Sequence, residues 1–298
     1  MAFETERLSL PATPPACAAR RAALFRESPL EILERWALGI TWGLAPARVA
    51  GLPCLLKLCF DELLAPDYAL PDPQRACDEP AGLAGIAHDL SVPTLLAAYG
   101  RGLYPLAHVA PMKWWSPPQR SVLFFNEVHL AKRLRRQMRQ GRYTVSFDRD
   151  FEGVIAACAH RPKQGLHLTW ITPKVMRAYA DLFDAGYAHS FEVWNERGQL
   201  AGGGYGVAIG GAFATESQFS RESNTSKIGF TVLNWHLARW GYAFNDGKLM
   251  TPTCHGMGFR DIPRWEFIAR LAQATALPGR PGRWQAEADP KQLANWKP

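Results

Sequence analysis

A chain of 298 residues, 47% hydrophobic and 20% charged, has material for one large domain or two modest ones and reads as an ordinary soluble globular protein. No apolar run reaches the roughly 18 residues of a membrane span, and Glu4 and Glu6 precede any apolar segment, which is unlike a signal peptide. The formal charge of +7 points to an anionic partner, nucleic acid first. The six cysteines at 17, 54, 59, 77, 158 and 254 have no CxxC spacing and read as reduced thiols of a cytoplasmic protein.

Residues 1–80 read as an N-terminal helical extension. Pro11–Ala23 is rich in alanine and proline and is expected to be mobile. Ser28-Pro29-Leu30-Glu31 is a capping box with proline at the first helical position, followed by the apolar face Leu33, Trp36, Ala37 and Ile40. Pro53–Leu64 is a second, short amphipathic helix expected to pack against the main body. Proline and aspartate crowd residues 66–80, as in a linker.

Residues 81–126 form a small N-terminal domain. Asp89-Leu90-Ser91 leads into a helix over LLAAYGRGLY. Trp114 and Trp115, set between prolines, suit a small core under a loop, with ligand stacking as the alternative.

Residues 127–276 form the main α/β domain, with a mixed sheet. Its first segment, EVHLAKRLRRQMRQGR, places Leu130, Leu134 and Met138 on one helical stripe. Lys132, Arg133, Arg135, Arg136 and Arg139 occupy the other faces with no acidic partner. Like charges at that spacing cost stability, so a phosphate-binding face is favoured over a plain solvated one. Tyr143–Phe147 alternates as a strand, Phe151–Ala159 and Pro173–Ala185 are helices, and Phe191–Gln199 turns at Gly198 as a hairpin. Gly202–Ala214 is apolar and glycine-rich, as where another backbone comes close. The polar loop from Glu216 to Asn224 then leads into a helix with Ile228, Val232 and Trp235 at helical spacing. Thr225 or Ser226 caps it, and Gly241 ends it. Residues 277–298 have no periodicity and are expected to be a loosely attached tail.

No P-loop, HExxH, GxSxG or zinc spacing occurs, and Cys254-His255 are adjacent rather than facing. Two carboxylates stand out. Glu216 ends an apolar strand, where a charge needs a partner or a task. Asp246 lies in Asn245-Asp246-Gly247, which taken alone reads as a tight turn.

Over about residues 82–271 the chain resembles the leucyl/phenylalanyl-tRNA–protein transferases. The collinear segments are DLS…LLAAYGRGLYP, WWSPPQRSVL, TWIT, AYADLFDAGYAHSFEVW, GGGYGVAIGGAF, ESQFSRESNTSK and FRDIPR. The resemblance implies a GNAT-like, acetyltransferase-related fold behind the small domain, and transfer of an aminoacyl group from aminoacyl-tRNA to a protein's N-terminal amine, marking that protein for degradation. It implies catalytic roles for Asp246, as base or amine anchor, and for Glu216, in support of the polar network. Lys248, which departs from the family's glutamine, is expected to hold Asp246 ionised through mutual charge stabilisation or to stabilise the oxyanion. It implies substrate-binding roles for Trp170, Phe213, Ser220, Trp114, Trp115, Leu233 and Gly204, and tRNA binding by the basic helix.

Leu106, Lys248 and Thr253 depart from the usual family residues, as do Leu233 and Gly204. The rival functions are therefore a GNAT-like acyltransferase with another donor and a non-catalytic RNA- or peptide-binding relative. Aminolysis of an activated ester needs no cofactor or metal. The expected partners are aminoacyl-tRNA and an acceptor N-terminus, with no membrane, and the expected state is a monomer.

Overall fold

The computed structural model describes residues 15–45, 51–160 and 168–297. The chain divides into two compact units, Met1–Pro118 with Arg161–Asp181, and Gln119–His160 with Leu182–Pro298.

In the first unit, helices α1 (Pro15–Leu24), α2 (Pro29–Gly43) and α3 (Leu52–Leu64) precede β1 (Leu83–Ile86), α4 (Val92–Gly100), β2 (Tyr104–Leu106) and β3 (Lys113–Trp115). The three strands form an antiparallel sheet in the order β1-β3-β2. Leu83, Leu95, Tyr99 and Trp114 fill its core. The capping box forms as read: Ser28 N–H donates to Glu31 Oε2 at 2.7 Å, and Glu31 N–H to Ser28 Oγ at 3.3 Å.

In the extension, Pro15–Leu24 is a helix rather than a mobile stretch, while residues 11–14 lie outside the described residues. Helix α3 packs as expected on one side only: Cys54 Sγ lies 3.0 Å from Cys77 Sγ and Glu62 2.6 Å from His88, with Leu52, Leu55 and Leu58 half-buried, whereas Leu56, Phe60 and Leu63 are 60–80% exposed. Helix α2 likewise buries only Gly39, where a Cβ would meet His108 O and Val109 Cγ2 at 3.0 Å, and leaves Leu33, Trp36 and Ile40 exposed.

The second unit opens with β4 (Gln119–Leu123), α5 (Lys132–Arg139), β5 (Tyr143–Phe147) and α6 (Phe151–Ala159). Asp150 caps α6 by accepting from Gly153 N–H at 3.0 Å. After α7 (Pro173–Asp184) come β6 (Ala188–Asn195), β7 (Leu200–Ile209), β8 (Ala212–Ser220), α8 (Thr225–Arg239), β9 (Phe244–Lys248), α9 (Pro252–Gly256), β10 (Arg260–Pro263), α10 (Arg264–Thr275) and α11 (Pro290–Leu293). The seven strands run in the order β10-β4-β9-β8-β7-β6-β5. Strands β5 to β8 are an antiparallel meander, and α8 supplies the crossover that lets β9 lie parallel to β8. The sheet is mixed, as expected.

The glycines of β7 serve close approach. A Cβ on Gly202 would strike the Thr225 side chain at the start of α8. Helix α8 then buries Ile228, Phe230, Val232, Leu233 and Leu237 against Phe191, Val193 and Phe213. Its end is as read, with Gly241 at φ 80°.

The C-terminal stretch is not loosely attached. Trp284, Leu293 and Ala294 are 0–5% exposed and belong to the same core as Leu134, Met138 and Phe213. Asn245-Asp246-Gly247 is likewise no turn but part of β9, so Asp246 lies inside the sheet.

Candidate active site around strand β9

Strand β9 lies between β4 and β8, and charged pairs leave it in both directions. Toward β4, Arg120 Nε donates to Asp246 Oδ1 at 2.8 Å and Nη2 to Oδ2 at 2.7 Å, with side chains only 2% and 5% exposed. This two-point contact uses the planar guanidinium fork fully. The guanidinium also lies 4.5 Å from the centre of the Phe267 ring. Toward β8, Lys248 Nζ donates to Glu216 Oε1 at 2.6 Å and to Thr215 O at 2.5 Å.

The backbone explains this divergence. The β4–β9 register shifts opposite Asp246–Lys248, and Lys248 adopts φ 65°. Such an irregularity re-aims side chains that would otherwise share a face. The expected mutual stabilisation of the Asp246 and Lys248 charges is therefore corrected: each has a different ionic partner. Their direct link is Lys248 N–H donating to Asp246 Oδ1 at 2.8 Å.

Behind the pairs runs a buried polar chain. Thr215 Oγ1 donates to Asn245 Oδ1 at 2.8 Å, Asn245 Nδ2 to Asn234 Oδ1 at 2.8 Å, and Asn234 Nδ2 to Phe230 O at 2.7 Å. Satisfied buried networks of this kind fix a single arrangement of the elements they join. Arg120, Asn234 and Asn245 were missed in the sequence. Arg120 stands in the family-like segment WWSPPQRSVL, but its carboxylate partner is 126 positions away.

The other expected site residues separate. Trp114, Trp115 and Trp170 belong to the first unit. Trp114 is buried in β3, Trp115 Nε1 donates to Leu106 O at 2.9 Å, and half-buried Trp170 packs edge-on to Tyr179. In the second unit, Phe213 is 1% exposed and packs near Trp284 inside the core, so it lines no surface. Leu233 is also in that core. Gly204 has no room for a side chain, since a Cβ would meet Gln218 Cγ, Phe191 Cζ and Ser217 O at 2.7 Å. Ser220 Oγ accepts from Ser226 N–H at 3.0 Å and so serves the start of α8. Neither Thr225 nor Ser226 is the cap residue, which is Asn224 at φ 62°.

The basic helix α5 divides too. Lys132, Arg133, Arg136 and Arg139 are exposed, whereas Arg135 is partly buried with backbone carbonyls as its partners.

A second acidic cluster sits on β5 and β6. Burial raises Glu192 to about 7, although the Ser146 and Ser190 hydroxyls donate to it at 2.5 Å. Nearby, Asp148 Oδ2 lies 2.9 Å from His189 Nδ1. Among the described residues no group of three or more His, Cys, Asp or Glu is placed to hold a metal ion, and no helix is long and apolar enough to cross a membrane.

Paired carboxylates and cations on a mixed sheet, joined by a satisfied polar chain, suit group transfer, and the relatives specify the class: the chain is an aminoacyltransferase. Residues 122–272 match the family described as leucyl/phenylalanyl-tRNA protein transferase, and residues 88–118 match the N-terminal domain of the same family. The chain belongs to that family. It is 43% identical over 225 residues to a leucyl/phenylalanyl-tRNA–protein transferase of Alkalilimnicola ehrlichii, covering 75% of this chain and 87% of that one. It is 44% identical over 211 residues to one of Azotobacter vinelandii, covering 70% and 92%. A solved structure, that of L-PGS from Bacillus licheniformis, aligns with a TM-score of 0.30 at 13% identity over 54% of this chain and 51% of that one, too distant to support any argument.

Proposed function

We propose that this chain transfers an aminoacyl group from aminoacyl-tRNA to the N-terminal α-amine of an acceptor protein, with the charged pairs around β9 as its reaction site. The amine nitrogen attacks the ester carbonyl carbon, the carbonyl oxygen becomes an oxyanion, and the ribose oxygen leaves with a proton as the amide forms. The ester is already activated, so the protein's tasks are to position the reactants and stabilise the developing charge.

The observation that carries this reading is the arrangement of Lys248. Its ammonium is held by Glu216 Oε1 and Thr215 O, which fixes a cation, the group suited to a developing oxyanion, beside the buried Arg120–Asp246 pair. Glu216 aims the ammonium. Asp246, held by Arg120, fixes the Lys248 backbone. Asp246 acts in this reading through Lys248 rather than as the base, because both of its oxygens already accept from Arg120. Ser220, on the same unit as β9, remains a proposed contact to substrate.

The reading takes the enzyme as a monomer. Its partners, charged tRNA and protein N-termini, support a cytoplasmic reaction that tags proteins for degradation. The test is to incubate the protein with a mixed charged-tRNA pool and model peptides and to read the products by mass spectrometry. Peptides extended by one amino acid, dependent on charged tRNA and reduced by Lys248→Met, support the reading. Absence of any extended peptide refutes it.

A further inference from the structure

The stretch 284–297 lies beyond residue 272, where the family match ends, and it is built onto the basic helix α5. Arg135 Nη1 donates to the carbonyls of Ala294 and Trp296 at 3.1 and 3.0 Å, while its Nε donates to Leu130 O at 3.0 Å. Arg139 Nη2 donates to Asn295 Oδ1 at 2.9 Å. Leu293 and Ala294 are buried in one cluster with Leu134 and Met138 of α5.

The near end of the stretch is fixed as firmly. Trp284 stacks on His189 with centroids 3.6 Å apart, and its backbone N–H donates to Asp148 Oδ2 at 2.7 Å. Glu287 N–H donates to His236 Nε2 at 2.8 Å. Asp289 and Gln292 close a capping box on α11. These contacts place Lys291, which is exposed, beside the end of α5: a Cβ on Gly141 would lie 3.7 Å from Lys291 Cδ. Lys132, Arg133, Arg136 and Lys291 are thus exposed cations that make no salt bridge among the described residues.

From this we infer that residues 284–297 complete the RNA-binding face of α5, with Lys291 joining Lys132, Arg133 and Arg136 on tRNA phosphates while Arg135 and Arg139 are positioning residues that seat the stretch. The inference rests on the tRNA reading above. A guanidinium committed to three carbonyls has no fork left for a phosphate, so the α5 arginines have two distinct tasks. A lysine brought beside them by folding extends a like-charged surface, which the fold tolerates where a polyanion neutralises it.

The test measures binding of the full chain to tRNA over a salt series. Lys291→Glu should weaken binding about 5- to 10-fold at low salt and reduce the slope of log K against log salt by roughly one. Lys57→Glu, the same charge change on the exposed helix α3, should leave the slope unchanged. Arg135→Lys keeps the charge but loses the two-carbonyl clasp. In that background Lys291→Gln should have much less effect than in the parent, the non-additivity expected of coupled sites. An unchanged slope for Lys291→Glu, an equal fall for Lys57→Glu, or simple additivity with Arg135→Lys would each overturn the inference. A parent protein that is folded and binds no tRNA would overturn the tRNA reading itself, and this inference with it.

Discussion

Arg120 and Asp246 stand 126 positions apart in the chain and meet as a buried two-point ion pair, 2.7–2.8 Å at each contact. The pair ties β4 to β9 beside the proposed reaction site. Removing one partner leaves the other charge buried alone, which typically costs about 3–5 kcal/mol. Asp246→Asn should therefore lower stability as well as rate, so a loss of activity in that variant says nothing about proton transfer on its own. Arg120→Met with Asp246→Leu should recover most of the stability without recovering turnover. Chemical denaturation and single-turnover rates on the single and double variants check both halves.

Lys248 offers a cleaner probe of chemistry. Lys248→Met removes every donor from this position and should lower the single-turnover rate by about 10²–10³, the range for losing one oxyanion donor. Lys248→Gln keeps an N–H donor and should retain more of the rate. Equal losses in the two variants would mean that charge, not donation, is what the site requires.

Glu192 makes stability depend on pH. Its folded-state pKa is raised from 4.5 to about 7 by burial, so its stabilising contribution is complete below 4.5 and is lost as pH rises through about 7. The loss is on the order of 3 kcal/mol. His236 works in the opposite sense: burial lowers its pKa, so its contribution is present above 6.5 and is lost as pH falls. Urea midpoints at pH 5 and 8 for the parent and Glu192→Gln separate the two. The variant should lack the decline toward high pH that the parent shows.

Helix α5 should govern affinity for tRNA through its exposed cations. Reversing both Lys132 and Arg136 is expected to reduce the salt slope by roughly two, about one per phosphate contact. Filter binding at several salt concentrations measures it, and an unchanged slope would remove α5 from the RNA interface.

Gly204 tests how far β7 can be altered. Gly204→Ala should destabilise the protein by about 1–3 kcal/mol, the usual range for overpacking, because Ser217 O is backbone and cannot swing aside. Thermal melts decide this. An unchanged melting temperature would mean the strand has slack that the packing distances do not reveal.

What was legible in the sequence was local. Helix α6 runs over the predicted Phe151–Ala159 because its apolar spacing and its Asp150 cap are encoded within ten residues. The Ser28–Glu31 box and the left-handed glycines at 198 and 241 formed for the same reason. What was not legible depends on partners distant in the chain. Asn245-Asp246-Gly247 has the composition of a turn, yet pairing with β4 and β8 on either side draws it into a strand. The stretch after Ala276 has no period because single residues hold it: Trp284 on His189, and Leu293 and Ala294 in the core. The packing expected of α3 holds on the side of Cys54 and Glu62, while Leu56, Phe60 and Leu63 stay exposed.

The depth of Trp284 has a consequence for the order of events during synthesis. Trp284, Leu293 and Ala294 fill a core whose other members, Phe147, Phe213 and Leu237 among them, come earlier in the chain. A nascent chain can therefore pair all seven strands while that core is still open. Until Trp284 follows β10, Phe213 and Tyr242 lack one of their aromatic core neighbours. In that interval a fully paired sheet with an unfilled core is the species open to misassembly.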